Sequence, residues 1–558
     1  MMTSRSSSLI IALAWTWSFI LAPAAASTSS TSRPAIPQPL QYLTESDLEA
    51  ARQLARDRHQ KAVKDALTNF PIDDIPCSPS EDEATVANTP FKELPVKISS
   101  KLPDFHDELP SSIFVSQKPL LSREECARVI QMADEHFAVH GENGEWTALP
   151  AGEYRMRGFK LKDVPAIREF IVEVFRRRFI PILQHLNPKF AESVADLALD
   201  NCYLMKFSPA TGARMDIHCD DGCLSFTIQM NPKEDYEGGG TWFEGLAEDE
   251  SDHEAGIIKM DVGHVHFRPG AIRHCGFTIT SGERYVIGGF AIHRSKVENS
   301  RLLMRGNTDE EMDLTLPAVV ALNPEYDEGY AMLAHDWTVR KNKADDAKKI
   351  LEHCLEHVNP KCSKVAFSLG VRHYRLEGRH DKVMECMRIV LAYDPYDVNA
   401  MTAMAEAASE VGDTEVEKEM YERIVRTFGV KPEIQADAYR DLGLMHKGKD
   451  ANFEIDCYQK AVAAYDNYHA RYSLGRALFE VGEFLQARES FLVAYSQDDT
   501  SVGALKALYR TAKTILAKES DTALSADAQI QKMTELVGGE EIYKKIQSMM
   551  ANPFGTVG

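Results

Sequence analysis

Cysteine is scarce, with ten in 558 residues. That density excludes a disulfide-framework protein, and a chain of this length buries a core without covalent staples. Positive charge is also in deficit: 63 Lys and Arg stand against 84 Asp and Glu, a formal net of −21. Sequence-independent nucleic-acid binding needs clustered cations to displace counterions, so no nucleic-acid partner is expected. The apolar run Leu9–Ala22 falls short of the roughly 20 residues that span a bilayer. No N-x-[ST] sequon occurs, and the last residues carry no K-D-E-L-type signal. What remains is an ordinary globular composition, 44% hydrophobic and 26% charged. Its length corresponds to roughly three to four domains.

Arg5, the apolar run and Ala24-Ala25-Ala26 form the n-region, h-region and small-residue site of a secretory signal peptide over residues 1–26. The chain is therefore expected in the secretory pathway, in the endoplasmic reticulum or Golgi lumen. A membrane is a partner only if the signal stays as an uncleaved anchor. Organelle targeting and secretion are open alternatives, since no acidic residue precedes Glu45.

Residues 27–103 are expected as linker with one amphipathic helix over Thr44–Asn69, capped by Ser46 or Asp47. From 104 to 298 the texture is mixed. Helical spacing over Ser122–Phe137 and Asp163–Leu186 gives way to short apolar segments: Cys202–Phe207, Leu224–Met230, Ile257–Met260, His264–Phe267 and Tyr285–Ile292. Short strands broken by Gly and Pro suggest a sandwich or jelly roll with helices on one face. Residues 316–516 are helical with an internal period. Pro324, Pro360 and Pro395 are 36 and 35 apart, and the pairs Leu333-Ala334, Leu369-Gly370, Leu442-Gly443 and Leu474-Gly475 recur near one phase. That is the tetratricopeptide signature, read as five repeats followed by a helical cap and tail over 517–558.

The chemistry lies in Asp216-Ile217-His218-Cys219-Asp220. On a strand, residues two apart share a side, so His218 and Asp220 present an imidazole and a carboxylate together. A second His completes a facial triad that leaves open positions on Fe(II). His274 lies 56 residues on, and Arg284 follows ten later in Gly282-Glu283-Arg284-Tyr285. A guanidinium there holds a carboxylate by paired hydrogen bonds.

In order, these segments resemble the Fe(II)/2-oxoglutarate dioxygenases. Asp235-Tyr236-Glu237-Gly238-Gly239-Gly240 and the stretch from His274 to Tyr285 are similar to collagen lysyl hydroxylases and, more loosely, prolyl hydroxylases. Phe114–Ala133 resembles the first helix of prolyl 4-hydroxylase-type domains. The resemblance covers residues 112–295. It implies a double-stranded β-helix (jelly roll) dioxygenase domain with flanking helices, ahead of an all-α tetratricopeptide-like solenoid. It also implies Fe(II) on His218, Asp220 and His274, 2-oxoglutarate on Arg284, and O2 and ascorbate as further cofactors. The family often places a cosubstrate Tyr on the strand before H-x-D. Phe207 takes that place here, and Tyr203 is the residue left to supply the hydroxyl.

Several local features have plainer readings. His264 and His266 form a second pair, without a basic residue ten positions on, and read as strand residues. Cys219 and Cys275 follow ligands and point away from the metal. Cys223 could pair with Cys219 or Cys202 in an oxidising lumen. Gly238–Gly240 reads as a tight turn and not a phosphate loop.

The function expected is 2-oxoglutarate-dependent hydroxylation of a prolyl or lysyl residue in a protein or peptide substrate. The repeats would recruit that substrate or a partner protein. The alternatives are a tetratricopeptide scaffold or co-chaperone with an inactive dioxygenase domain, and a dioxygenase acting on a small molecule or sugar.

Overall fold

The computed structural model describes residues 40, 43–75, 89–96, 108–151, 154–210, 214–220, 222–247, 253–305, 307–519 and 525–551. The expected signal peptide lies outside the described residues. The chain divides into two compact units, residues 1–400 and 401–558.

The first unit carries the strands. In chain order they are β1 (Phe91–Pro95), β2 (Ser112–Ser116), β3 (Ala148–Ala151), β4 (Tyr154–Lys160), β5 (Leu197–Phe207), β6 (Leu224–Gln229) and β7 (Tyr236–Gly238). There follow β8 (Thr241–Phe243), β9 (Ile257–Ile258), β10 (Val265–Pro269), β11 (His274–Gly276), β12 (Ile279–Gly282) and β13 (Arg284–His293). Eight form one antiparallel sheet in the order β1-β2-β10-β6-β13-β5-β4-β3. Opposite it lie a three-stranded sheet, β11-β8-β9, and the pair β12-β7. Side chains of β10 and β13 reach across to the smaller sheets: Arg268 to His274, and Arg284 to Thr241.

Strand β6 shows how the sequence builds this sandwich. All six residues are buried. Leu224, Phe226 and Ile228 join a core with Phe175 and Phe179 of the covering helices. Ser225, Thr227 and Gln229 face the other way, between the sheets. Period two thus gives one apolar face and one polar face, both out of water. Strand β10 repeats this, with Val265 and Phe267 on the helical core and His266 and Arg268 inward. A buried polar face is costly unless its groups are satisfied, so this one marks the site.

Helix 123–140 begins with a capping box in which Ser122 and Glu125 exchange bonds. The helix expected over Asp163–Leu186 runs as Pro165–Val174, a π-turn at Phe175–Phe179, then Ile180–Leu186. Pro181 follows that bulge; it lacks the N–H that regular helix would need.

Two elements depart from the sequence expectation. The helix Glu45–Asn69 is capped by Thr44, not Ser46 or Asp47, with Asp47 completing the box. Nor is 71–103 all linker, because β1 pairs with β2 at the sheet edge. Ala51 and Ala55 of the first helix are fully buried against Leu303, Ala318 and Val319.

Helices 327–339 with 344–353, and 363–368 with 380–393, form the first two hairpins within this unit. Trp242 meets Tyr393 edge-on at 6.0 Å, and Phe277 meets Tyr396 at 6.1 Å. These helices are packed on the smaller sheet, where the sequence suggested a separate arm.

The second unit is helical. Its clearest hairpin is Tyr468–Val481 with Phe484–Gln497, where Gly475 lies under Phe491. A Cβ on Gly475 would come within 2.8 Å of that ring, so the close approach requires glycine. Ala487 and Ala494 are buried beside it, as the repeat spacing implied.

Candidate metal centre

His218 and His274 are cross-strand partners. Each donates its backbone N–H to the other's carbonyl at 2.9 Å. Such a pairing sets side chains side by side, and the ring centroids lie 4.5 Å apart. Asp220, two residues on, returns to the same side. His218 forms an isolated bridge and not part of a longer strand, a local difference from the expectation. One ligand atom from each of His218, Asp220 and His274 lies within 4.8 Å of the others.

The donor set is arranged for a cation. His218 Nδ1 bonds the Asp216 carbonyl at 2.7 Å, and His274 Nδ1 bonds the Ile272 carbonyl at 3.0 Å. A carbonyl only accepts, so each Nδ1 carries its proton and each Nε2 offers a lone pair. Asp220 Oδ1 faces these nitrogens at 3.6 and 3.5 Å. Burial holds His274 well below its ordinary pKa, with the Arg268 charge acting in the same direction; it is a neutral donor. For Asp220, burial opposes ionisation, but the Arg268 guanidinium paired with it outweighs that and keeps the carboxyl well below its usual range. Two imidazoles and one carboxylate, with buried walls, fit Fe(II).

Arg284 is buried at the start of β13. It donates to Gln229 Oε1 at 3.0 Å, the Gly240 carbonyl at 2.7 Å and Thr241 Oγ1 at 3.2 Å. The Tyr236 hydroxyl is buried beside that guanidinium without a well-formed hydrogen bond. Guanidinium, hydroxyl and an unsatisfied phenol make a cradle that suits a carboxylate. Gly238, Gly239 and Gly240, with φ of 70°, 61° and 107°, form the turn between β7 and β8 that brings Tyr236 and Thr241 together. That conformation favours glycine.

Tyr203 is differently placed. Its hydroxyl accepts from Asn201 at 3.1 Å, and its ring packs near Phe290 and Lys160. None of these is a triad residue or Arg284. Phe207 does reach the cradle, its ring 5.9 Å from the Arg284 guanidinium carbon.

The sequence reading missed Arg268. Its Nη2 meets Asp220 Oδ2 at 2.5 Å and His274 Nε2 at 2.7 Å, and Nη1 reaches Thr227 and His266. The available signal was a basic residue alternating with His266 on an otherwise apolar strand. His266 and His264 are strand residues as expected, the latter bonded to the Ser116 carbonyl at 3.0 Å.

All the described cysteines are free. Cys223 pairs with neither Cys219 nor Cys202. Its thiol donates to the Ala291 carbonyl, whereas Cys219 turns to the Ala271 carbonyl.

The triad opens toward His218. The His218 side chain is 20% exposed, against 1% for Asp220 and 6% for His274. Arg214, four residues before His218, is buried and pairs with Asp394 of the helical region. A surface groove between helix 123–140 and Asn231, Glu283 and Tyr285 is lined by none of the triad residues.

No family model matches the chain. It is similar to the TPR repeat-containing protein YpiA of Bacillus subtilis, 24% identical over 245 residues, 43% of this chain. The match spans 55% of that relative's length. Among solved structures, a 2OG-Fe(II) oxygenase family oxidoreductase from Burkholderia pseudomallei is 15% identical, covering 32% of this chain and 83% of its own, with a TM-score of 0.24. PilF of Pseudomonas aeruginosa is 18% identical, covering 40% and 96%, with a TM-score of 0.29. Likenesses of this size assign no activity to the chain.

Proposed function

We propose that the chain is an Fe(II)- and 2-oxoglutarate-dependent dioxygenase, built on a jelly roll, that hydroxylates a prolyl or lysyl residue of a protein. The observation that carries this reading is the convergence of His218 Nε2, Asp220 Oδ1 and His274 Nε2 beside the carboxylate cradle of Arg284.

Fe(II) with 2-oxoglutarate supplies the O2-dependent oxidation that inserts oxygen into an unactivated C–H bond. His218, Asp220 and His274 hold the metal on one face. The Asp216 and Ile272 carbonyls keep both imidazoles in the ligating tautomer. Arg284, Thr241 and Tyr236 grip the far carboxylate of 2-oxoglutarate. The buried walls around Asp220 and His274 exclude water, and substrate enters past His218. The repeats recruit the protein substrate or a partner, and the protein works in the secretory lumen, with ascorbate as reductant.

The test is hydroxylation of a library of Pro-rich and Lys-containing peptides by the purified chain with Fe(II), 2-oxoglutarate and ascorbate. A mass gain of one oxygen with wild type and not with His218→Ala supports the reading. Absence of both the gain and succinate release contradicts it.

A further inference from the structure

Arg268 has no part in the triad-and-Arg284 scheme, yet it is 2% exposed and sits against two of the three ligands. A guanidinium withdrawn from water this far is costly unless it is paired. Asp220 Oδ2 supplies one partner. The pairing turns Oδ2 to the arginine and leaves Oδ1 toward the histidines.

Its remaining donors are only partly used. Nη1 has Thr227 Oγ1 at 3.1 Å and a longer contact to His266 at 3.3 Å. Among the described residues, Nε has no hydrogen-bond partner, nor has Nε2 of the neighbouring His266. Buried donors are rarely left unmet, so unmet groups beside a metal centre point to a ligand.

Strand β6 relates the two arginines. Arg268 is anchored by Thr227, and Arg284 by Gln229, two residues on and on the same inward face. That spacing is about 7 Å along the strand. The guanidinia therefore address opposite ends of one short, doubly charged molecule. Arg284 lies at the Tyr236 and Thr241 end, Arg268 at the metal end.

We propose that Arg268 is the second guanidinium of the cosubstrate site. It fixes Asp220 through Nη2 and donates from its free edge to the metal-proximal carboxylate of a 2-oxo acid, the end opposite Arg284. This rests on the dioxygenase reading and adds a residue to its ligand site.

The two arginines are separated by two probes. 2-Oxoglutarate has both carboxylates; 2-oxobutyrate has only the one beside the keto group. The full chain, loaded anaerobically with Fe(II), is titrated with each and followed by visible charge-transfer absorption and calorimetry. Metal affinity is measured separately with Mn(II). A charge-assisted hydrogen bond lost with Arg268→Met weakens both acids by about tenfold or more. Arg284→Met weakens 2-oxoglutarate alone. Arg268→Lys keeps the charge but loses the planar fork, and weakens both acids several-fold; it decides the matter if the Met variant does not fold. Wild-type affinity for both acids in the metal-loaded Arg268 variants overturns the proposal, as does a defect confined to Mn(II) binding. Wild type binding neither acid overturns the dioxygenase reading as well.

Discussion

Arg273, the residue before His274, donates to Glu328 of the first repeat hairpin at 3.1 Å, and both side chains are buried. Asp327 and Glu244 lie 3.6 and 3.8 Å from the same guanidinium, and Lys364 lies 2.9 Å from Glu328. Arg301 closes the cluster by donating to the backbone carbonyls of Asp220 and Gly222. The segments carrying His274 and Asp220 are thus tied to the helical region by buried charges.

Breaking this cluster on one side strands charge. Arg273→Met leaves Glu328 and Asp327 short of a cation and should cost about 3–5 kcal/mol, the usual range for half a buried pair. Urea denaturation checks it. A loss below about 1 kcal/mol, typical of surface pairs, contradicts the buried network.

Truncation follows the same logic. A chain ending at residue 315 loses Glu328, Lys364 and Asp394 and exposes Arg273 and Arg214. It is expected to be insoluble or to lose cooperative melting. A chain ending at residue 400 keeps the compact first unit and should retain a cooperative transition and metal-dependent stabilisation. Equal behaviour of the two contradicts the account.

The cradle makes a graded prediction. Tyr236→Phe removes one hydrogen bond to a carboxylate, worth about 1.5–3 kcal/mol, and should weaken 2-oxoglutarate binding about tenfold to a hundredfold. Tyr203→Phe should leave it within a factor of about two. The reverse order would restore the cosubstrate role first expected of Tyr203.

Asp397 gives the pH dependence. Burial, then the charges of Asp394 and Asp216, raise its carboxyl to about 7 from 3.8, against the lowering effects of the Ala400 N–H and Arg214. A raised folded pKa means that the folded state binds the extra proton between these values. Asp397's contribution is therefore fully present below pH 3.8 and is lost as pH rises through 7. Asp397→Asn should raise stability at pH 8 relative to wild type and flatten that part of the profile, read by thermal melts. An unchanged profile contradicts the assignment.

The triad was legible because its geometry is local. His218 and Asp220 are two apart, and an antiparallel partner supplies His274. Arg284 was legible through its spacing from that His. Tyr236 stands out in the sequence only as part of a resemblance, because the three-glycine turn that aims it is a tertiary arrangement. Arg268 and Arg273 were missed for the same reason: Asp220 and Glu328, their partners, are distant in sequence. Strand β1 was hidden by the polar, Pro-rich composition around it, which reads as linker. Its pairing with β2 makes it an edge strand, although none of its residues is fully buried.

The most direct test of the central claim is anaerobic binding of 2-oxoglutarate by the Fe(II)-loaded chain, wild type against Asp220→Ala. The account predicts charge-transfer absorption and saturable binding in wild type, with both lost in the variant. Binding that is absent in wild type, or that persists without Asp220, contradicts it.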